Sequence, residues 1–331
     1  MKHILEKLYQ HKTLSKLEAN EILHQIATGV YNHNQLASFL TVFIMRPIAL
    51  EELQGFREAL LELCIPVDLS AYNPMDLCGT GGDGKNTFNI STLTSFIVAG
   101  AGVPVAKHGN YGVSSISGSS NVLEQMGVVF TADEQKLQTQ LEKANICFLH
   151  APLFHPAMRF VAPVRKEMKV KTFFNMLGPL VNPARPKIQM VGVFSLALQR
   201  MYQYLFQAEE DMQYNIVYAL DGFDELSLTD TCKIINPKGE QLLRAADFDM
   251  EPTRYEDLYG GNTLEEAAKI FIDILEGKGT DAQNKVVLAN AAVAIQTYHP
   301  TRSLSTALAQ AKTSLFEGKA LNSLQILKEL S

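Results

Sequence analysis

Two segments between residues 76 and 127 combine glycine, hydroxyl and charged residues in the manner of phosphate-binding loops. The first, residues 79–84, holds four glycines in six positions and precedes an apolar stretch that predicts a helix to about Ala101. Glycine permits positive φ and close approach to a ligand. Free amides at a helix N-terminus suit an anion, and we expect Ser91 or Thr92 to cap this helix.

The second segment follows a short strand predicted at residues 103–106. It begins with Lys107, His108, Gly109 and Asn110 and continues through a serine-rich stretch, residues 114–120. A glycine loop alone could be a tight turn, and GTGGDG matches neither the Walker nor the Rossmann pattern. Two successive strand–loop–helix units, one of them carrying a fixed cation, favour a phosphorylated ligand.

An adjacent acidic pair, Asp224 and Glu225, follows a short apolar strand predicted at residues 216–220. Magnesium binds in proteins through one or two carboxylates together with phosphate and water. An exposed acidic turn would explain the pair equally well. Its position after a strand, opposite candidate phosphate loops, keeps the metal site open as an alternative.

Three cations, Arg159, Arg165 and Lys166, recur near helical spacing ahead of an apolar segment, residues 172–183. They could form a solvated basic face of a helix. They could equally line a pocket beside the apolar segment. The pattern leaves both interpretations open.

The remaining sequence predicts the elements that position these residues. Residues 1–65 read as helices, including one with a capping box from Ser15 to Glu18 and one at residues 34–45 that is apolar over most of its surface. Beyond these, strands alternate with helices, which predicts a mostly parallel sheet with right-handed crossovers. Ligands bind at the carboxyl ends of such strands, so the two loops and the acidic pair are expected at one edge.

We therefore predict an α/β protein with a small N-terminal helical domain and a larger α/β domain around a mostly parallel central sheet. The helical domain is expected to span residues 1–70, joined by a segment near 165–185. Residues 71–331 are expected to form the α/β domain, which would bind the phosphorylated ligand.

Composition excludes several classes of protein. Twenty-nine Lys and Arg against 35 Asp and Glu give a net charge of −6, which argues against a broad nucleic-acid-binding surface. The four cysteines form no CxxC pair, so reduced thiols in a cytoplasmic protein are expected. The N-terminus lacks the apolar stretch of a signal peptide. No run of about 18 apolar residues predicts a membrane span.

Several motifs together resemble one family, the anthranilate phosphoribosyltransferases. They are GTGGD from Gly79, NIST from Asn89, KHGN from Lys107, His155 to Ala157, Val164 to Lys166, LGPLVNP from Leu177, and Asp224-Glu225. The family implies a helical domain with an α/β domain, usually paired as a homodimer through the helical domain. It also implies transfer of phosphoribose from phosphoribosyl pyrophosphate (PRPP) to the amino group of anthranilate, with Mg²⁺ and release of pyrophosphate, in tryptophan biosynthesis.

The same resemblance implies which residues bind each ligand. It places anthranilate at Gly79, Asn110 and Arg165, and magnesium at Ser91, Asp224 and Glu225. The residues that it places around PRPP are Gly79, Gly82, Asp83, Thr87, Asn89, Ile90, Ser91, Thr92, Lys107, Ser115 and Ser119.

The residue types fit this chemistry. Breaking the C1–O bond to pyrophosphate develops charge that a metal and a donor such as Lys107 can stabilise. Arg165 suits a carboxylate through its bidentate fork. The aryl amine is nearly unprotonated at neutral pH, so we expect positioning and charge stabilisation to dominate, with no need for a strong general base. His108 is interpreted as a pocket wall.

One departure from the family pattern concerns the residues after KHGN, where Tyr111-Gly112 replaces the usual Arg and Ser. Tyr111 could stack on an aromatic substrate or simply pack. Two alternative functions stay open: a pyrimidine-nucleoside phosphorylase, and a non-catalytic paralogue that binds nucleic acid. The KHGN loop and the acidic pair favour the transferase.

Overall fold

The computed structural model describes residues 1–112 and 117–331, which form two compact units. The strands are β1 Met75–Gly79, β2 Val105–Gly109, β3 Ile146–His150, β4 Ile188–Gly192, β5 Gln213–Ala219, β6 Cys232–Asn236 and β7 Gly239–Leu243. The helices are α1 Lys2–Tyr9, α2 Lys16–Ala27, α3 His33–Met45, α4 Leu50–Leu63, α5 Ile90–Gly100, α6 Ser119–Gln125, α7 Glu134–Ala144, α8 Ala151–Phe154, α9 Ala162–Met168, α10 Phe174–Leu177, α11 Leu196–Gln207, α12 Leu264–Leu275, α13 Asp281–Tyr298, α14 Leu304–Phe316 and α15 Lys319–Glu329.

Unit 1 is helical and joins two stretches of chain, Met1–Val67 and Ala151–Pro183. Its α2 begins with the predicted capping box, in which Ser15 and Glu18 each bond the other's backbone amide. An aromatic core holds the two stretches together, since Phe173 stacks on Phe56 with ring centroids 4.5 Å apart. Aromatic pairs of this kind add about 0.5–1.5 kcal/mol beyond their buried area.

Unit 2 spans Asp68–His150 and Ala184–Ser331 and contains a seven-stranded sheet of order β3-β2-β1-β4-β5-β6-β7. The first five strands are parallel, and β6 and β7 extend the sheet antiparallel. The predicted fold class, a helical domain followed by an α/β domain with a mostly parallel sheet, is confirmed.

The core of unit 2 is built around α5 and α13, whose apolar residues are buried on nearly every side. Alanine at Ala289, Ala291 and Ala292 lets neighbouring elements approach α13 closely. The middle of α13, residues 286–295, is thus fully buried, and a polar side chain there must find a partner inside the protein.

Three details differ from the sequence predictions. β2 extends to Gly109, so Lys107 and His108 lie in the strand and not in the loop after it. α5 begins at Ile90, with Asn89 as the N-cap residue and no side-chain cap. The serine-rich stretch is not loop throughout, because α6 begins at Ser119.

The four cysteines are free and buried, in agreement with the expectation of reduced thiols. Among the described residues, no helix is both long enough and apolar enough to span a bilayer.

Candidate active site

The glycine loop and the acidic pair are tied directly to each other in unit 2. Asp224 Oδ2 accepts a hydrogen bond of 2.8 Å from the amide of Gly81. Room for this carboxylate exists because β1 and β4 both end in glycine: Gly79 and Gly192 are register partners. A Cβ at Gly79 would lie 2.6 Å from Asp224 Oδ2, and one at Gly192 would collide with the Asp224 backbone oxygen.

Glu225 likewise accepts a hydrogen bond from a backbone amide, at the start of α5. Its Oε1 accepts a 3.1 Å hydrogen bond from the Ser91 amide, a free amide of the first turn. The prediction that Ser91 or Thr92 caps this helix by its side chain is therefore wrong, since a carboxylate from a distant loop satisfies the amide. Asp224 and Glu225 thus accept hydrogen bonds from the glycine loop and from the start of α5, the two places where backbone amides were predicted to bind phosphate.

The acidic pair carries strongly shifted pKa values. Burial, followed by the nearby charge of Asp83, raises the pKa of Asp224 to about 7. Burial and the charges of Asp224 and Asp83 likewise raise the pKa of Glu225. Carboxyl groups that raise one another's pKa in this way would be stabilised by a nearby cation.

The donor set fits Mg²⁺ in particular. Carboxylate and hydroxyl oxygens are the ligands that this ion prefers, and it ordinarily keeps water and substrate phosphate in its shell. Over residues 1–112 and 117–331, no group of three or more His, Cys, Asp or Glu side chains is placed to hold a metal ion by itself. An ion shared between the acidic pair and a phosphorylated substrate matches both observations.

Lys107 supplies the compensating positive charge. It is only 2% exposed, and its Nζ donates a hydrogen bond to the Leu77 carbonyl oxygen. Burial lowers the pKa of Lys107, while Cys78, Asp76 and Glu225 act in the opposite direction. His108, the next residue, is buried in β2 with its amide donating to Asp76 Oδ1 at 3.1 Å.

The second loop begins at Asn110, which is bonded to α6. The Asn110 amide donates to Ser119 Oγ at 3.2 Å, and the Ser120 amide donates to the Asn110 carbonyl oxygen at 3.1 Å. The start of α5 is bonded to the second loop, because Asn89 Nδ2 donates to the Ser117 carbonyl oxygen at 3.0 Å. The glycine loop is bonded instead to Asp224, next to the Glu225 that accepts from the Ser91 amide of α5.

Tyr111 packs within its own unit. Its hydroxyl donates to Glu124 Oε1 at 2.8 Å, and its ring meets the edge of the His150 ring at 4.9 Å between centroids. This contact matches the packing interpretation of Tyr111 that the sequence left open.

Arg165 lies on α9 in unit 1. Burial lowers the pKa of its guanidinium to about 10, so the group stays charged at neutral pH. Its Nη2 donates to Asn175 Oδ1 at 3.2 Å, and its Cζ lies 5.4 Å from the centroid of the Phe174 ring. No acidic side chain of the described ranges pairs with it, which leaves the charge available to an incoming carboxylate. Arg159 and Lys166 are exposed, as a solvated face would be.

The predicted site residues divide between the units. Arg165 belongs to unit 1, and the other described members belong to unit 2. Ser115 lies outside the described residues. Near the carboxyl ends of β1, β2 and β5, unit 2 gathers Gly79, Gly82, Asp83, Asn89, Ile90, Ser91, Thr92, Lys107, Asn110, Ser119, Asp224 and Glu225. Thr87 precedes α5 in an isolated bridge with Tyr259.

Sequence reasoning missed the residues that support these side chains. Asn175 orients Arg165, and Gly192 leaves space for Asp224. An amide within the apolar segment 172–183 was a usable signal for Asn175. No pattern in the residues around Gly192 distinguished it, because the residue that it accommodates, Asp224, is 32 positions away in the sequence.

Fold and site together define a glycosyl transferase with a helical bundle ahead of an α/β domain. The family model "Glycosyl transferase family, helical bundle domain" matches residues 2–64, and "Glycosyl transferase family, a/b domain" matches residues 71–321.

Full-length relatives narrow this class. The chain is 58% identical to an anthranilate phosphoribosyltransferase of Flavobacterium psychrophilum and 52% identical to one of Bacteroides fragilis, over 100% of both chains in each case. The solved enzyme of Thermus thermophilus has a TM-score of 0.88 and 32% identity over 98% of each chain. The chain belongs to the anthranilate phosphoribosyltransferase family, which confirms the resemblance of its motifs.

A further solved relative, from Saccharomyces cerevisiae, is in complex with PRPP and Mg. It has a TM-score of 0.89 and 26% identity, covering 98% of this chain and 96% of its own.

Proposed function

We propose that this chain transfers phosphoribose from PRPP to the amino group of anthranilate, giving N-(5-phosphoribosyl)anthranilate and pyrophosphate in tryptophan biosynthesis. One observation carries the proposal: Asp224 and Glu225 converge on amides of the glycine loop and of α5, at 2.8 and 3.1 Å. Backbone amides that could donate hydrogen bonds to phosphate therefore lie next to carboxylates that could bind a metal.

The two loops bind PRPP in this proposal. Amides of residues 79–84 and of the first turn of α5 other than those of Gly81 and Ser91, which donate to the acidic pair, receive phosphate oxygens. The hydroxyl of Ser119 and the amide side chain of Asn89 border the same space, near the carboxyl end of the sheet. The other PRPP contacts stay as the family resemblance implies, including Ser115.

Asp224, Glu225 and Ser91 are the residues that hold Mg²⁺ in the proposal. When bound, the ion neutralises negative charge on the pyrophosphate leaving group. Lys107 adds a fixed positive charge beside Glu225. These charges are preorganised, so little reorganisation is needed as the C1–O bond lengthens.

Arg165 binds the anthranilate carboxylate, and Asn175 holds the guanidinium in place. Gly79 and Asn110 are the remaining anthranilate residues implied by the family. The neutral aryl amine forms its bond to C1 as the C1–O bond to pyrophosphate breaks, and the nitrogen then loses a proton to solvent, without a side-chain base. Positioning of the two substrates therefore supplies the main acceleration.

We also propose that the enzyme is a cytoplasmic homodimer that pairs through its helical unit. Four buried thiols without a disulfide support a reducing compartment. Exposed apolar side chains at the end of α3, Ile44 at 46% and Met45 at 83%, support a covered surface there. Sedimentation equilibrium of wild-type and Met45→Glu protein tests the dimer, and a wild-type monomer contradicts it.

The function is tested with purified protein, PRPP, Mg²⁺ and anthranilate, following the loss of anthranilate fluorescence. Magnesium-dependent loss of fluorescence is expected. Folded protein that leaves anthranilate unchanged but cleaves uridine or thymidine with phosphate would instead be a nucleoside phosphorylase. Inactivity in both assays, with a salt-dependent shift of DNA in a gel, would indicate the nucleic-acid-binding paralogue.

A further inference from the structure

Asn290 is a buried amide in the otherwise apolar middle of helix α13. It is 2% exposed, and its neighbours Ala289 and Ala291 are fully buried. Asparagine is a poorer helix former than alanine, and burying an amide costs free energy unless its hydrogen bonds are made. A residue with both disadvantages at the centre of a core helix requires a specific partner.

That partner is the backbone directly after the acidic pair. Asn290 Nδ2 donates to the Leu226 carbonyl oxygen at 2.9 Å, and Asn290 Oδ1 accepts from the Leu226 amide at 3.2 Å. Nδ2 also donates to the Val286 carbonyl oxygen at 2.8 Å, one turn earlier in α13. The side chain is thereby fixed to its own helix and pairs with Leu226 as a neighbouring strand would.

The Leu226 amide belongs to the peptide group that joins Glu225 to Leu226. Fixing that peptide restrains the backbone from which the Glu225 side chain extends to the Ser91 amide. Asn290 and the acidic pair also line one cavity of about 20 Å³, with Ser91 and Thr94 among its other walls. A space of this size admits about one water molecule, so substrate cannot reach Asn290.

From these contacts we infer that Asn290 is a positioning residue, which sets the location of the Asp224–Glu225 pair for Mg²⁺ and PRPP. The inference rests on the proposed function. It concerns ligand binding only through the acidic pair, because Asn290 itself touches neither substrate. Residues that orient metal ligands in this way typically change metal affinity or activity by about 10–100-fold when replaced.

The test compares Asn290→Leu with Thr297→Val. Leucine keeps the approximate volume and removes all three hydrogen bonds. Thr297 is a matched control, because it is also buried on α13 and accepts a buried hydrogen bond of 2.6 Å, from Asn215. Calorimetry measures PRPP binding at fixed Mg²⁺ and Mg²⁺ binding at fixed PRPP, and initial rates give the KM of each substrate.

We expect Asn290→Leu to weaken Mg²⁺-dependent PRPP binding about 10–100-fold, with the KM for anthranilate unchanged. Thr297→Val should bind PRPP as the wild type does. Equal affinities of the two variants would overturn the inference, as would an equal loss for both substrates. A wild-type protein that binds no PRPP overturns the proposed function as well, whereas wild-type binding with an unaffected Asn290→Leu overturns this inference alone.

Asn290→Asp keeps the test decisive if the leucine variant does not fold. Aspartate has the same size, retains an acceptor for the Leu226 amide and offers at most one donor. A PRPP affinity weaker than that of the wild type supports the positioning role. Wild-type affinity in Asn290→Asp contradicts it.

Discussion

Asp224 accepts a hydrogen bond from the amide of Gly81 at 2.8 Å, although 143 positions separate the two residues. Gly81 has a φ of +59°, a conformation that glycine adopts readily. Its amide is therefore turned toward the acidic loop. The contact joins the glycine loop, which is suited to phosphate, to Asp224, which is suited to a metal. A substitution in the loop or at Asp224 should therefore affect the binding of both ligands.

Replacement of Asp224 by Asn should separate binding from stability. Asparagine can still accept the Gly81 hydrogen bond but removes one of three clustered negative charges. We expect kcat/KM for PRPP to fall about 10²-fold or more, because a bound metal stabilises charge by several kcal/mol. Without Mg²⁺ or substrate, relief of repulsion should raise Tm by about 2–4 °C for each kcal/mol gained.

Kinetics and scanning calorimetry measure these two quantities. Asp249→Asn is the control, since Asp249 is exposed in the same unit and its left-handed backbone, at φ of +57°, accommodates Asn. Loss of activity together with a lower Tm in Asp224→Asn would show that the carboxylate stabilises the fold and would contradict the prediction.

Gly79→Ala should disturb the acidic loop through a single methyl group. The added Cβ would lie 2.6 Å from Asp224 Oδ2, and overpacking of this kind costs about 1–3 kcal/mol. We expect weaker binding of PRPP and a lower free energy of unfolding in urea. In Gly178→Ala, the control, the new Cβ meets nothing within 4 Å. Equal behaviour of the two variants would show that Asp224 moves aside without consequence.

The sequence predicted the order of elements because apolar periodicity and turn residues are local signals. The capping box at Ser15 follows from a pattern only four residues long. It also placed the glycine loop and the acidic pair at one edge, since parallel strands end together.

The capping of α5 by Glu225 was not predictable, because the two residues involved are 134 positions apart. The burial of Lys107 was also missed, because β2 extends beyond the apolar residues 103–106 from which it was predicted.

Arg165→Gln should affect one substrate only. A hydrogen-bonded charge pair contributes about 1.5–3 kcal/mol, so loss of the guanidinium should raise the KM for anthranilate roughly 10- to 150-fold. PRPP affinity should not change, because the PRPP residues lie in unit 2. Arg159→Gln serves as the control, since Arg159 is exposed and its guanidinium stacks on Phe160. A parallel loss of PRPP affinity in Arg165→Gln would contradict the assignment.

His155 should make the protein sensitive to acid. Burial lowers the pKa of His155 to about 4, against a partial opposing effect of the Val181 backbone. An unfolded histidine titrates near 6.5, so the unfolded state binds more protons between about pH 6.5 and pH 4, and stability falls as the pH falls through this window. At pH 5 the loss should be about 2 kcal/mol relative to pH 8.

His155→Gln, which cannot titrate, should lose less stability over this range, and urea unfolding at both pH values measures the difference. His3→Gln, at an exposed position of α1, should retain the wild-type loss, and the same loss in His155→Gln would assign the acid sensitivity to other groups.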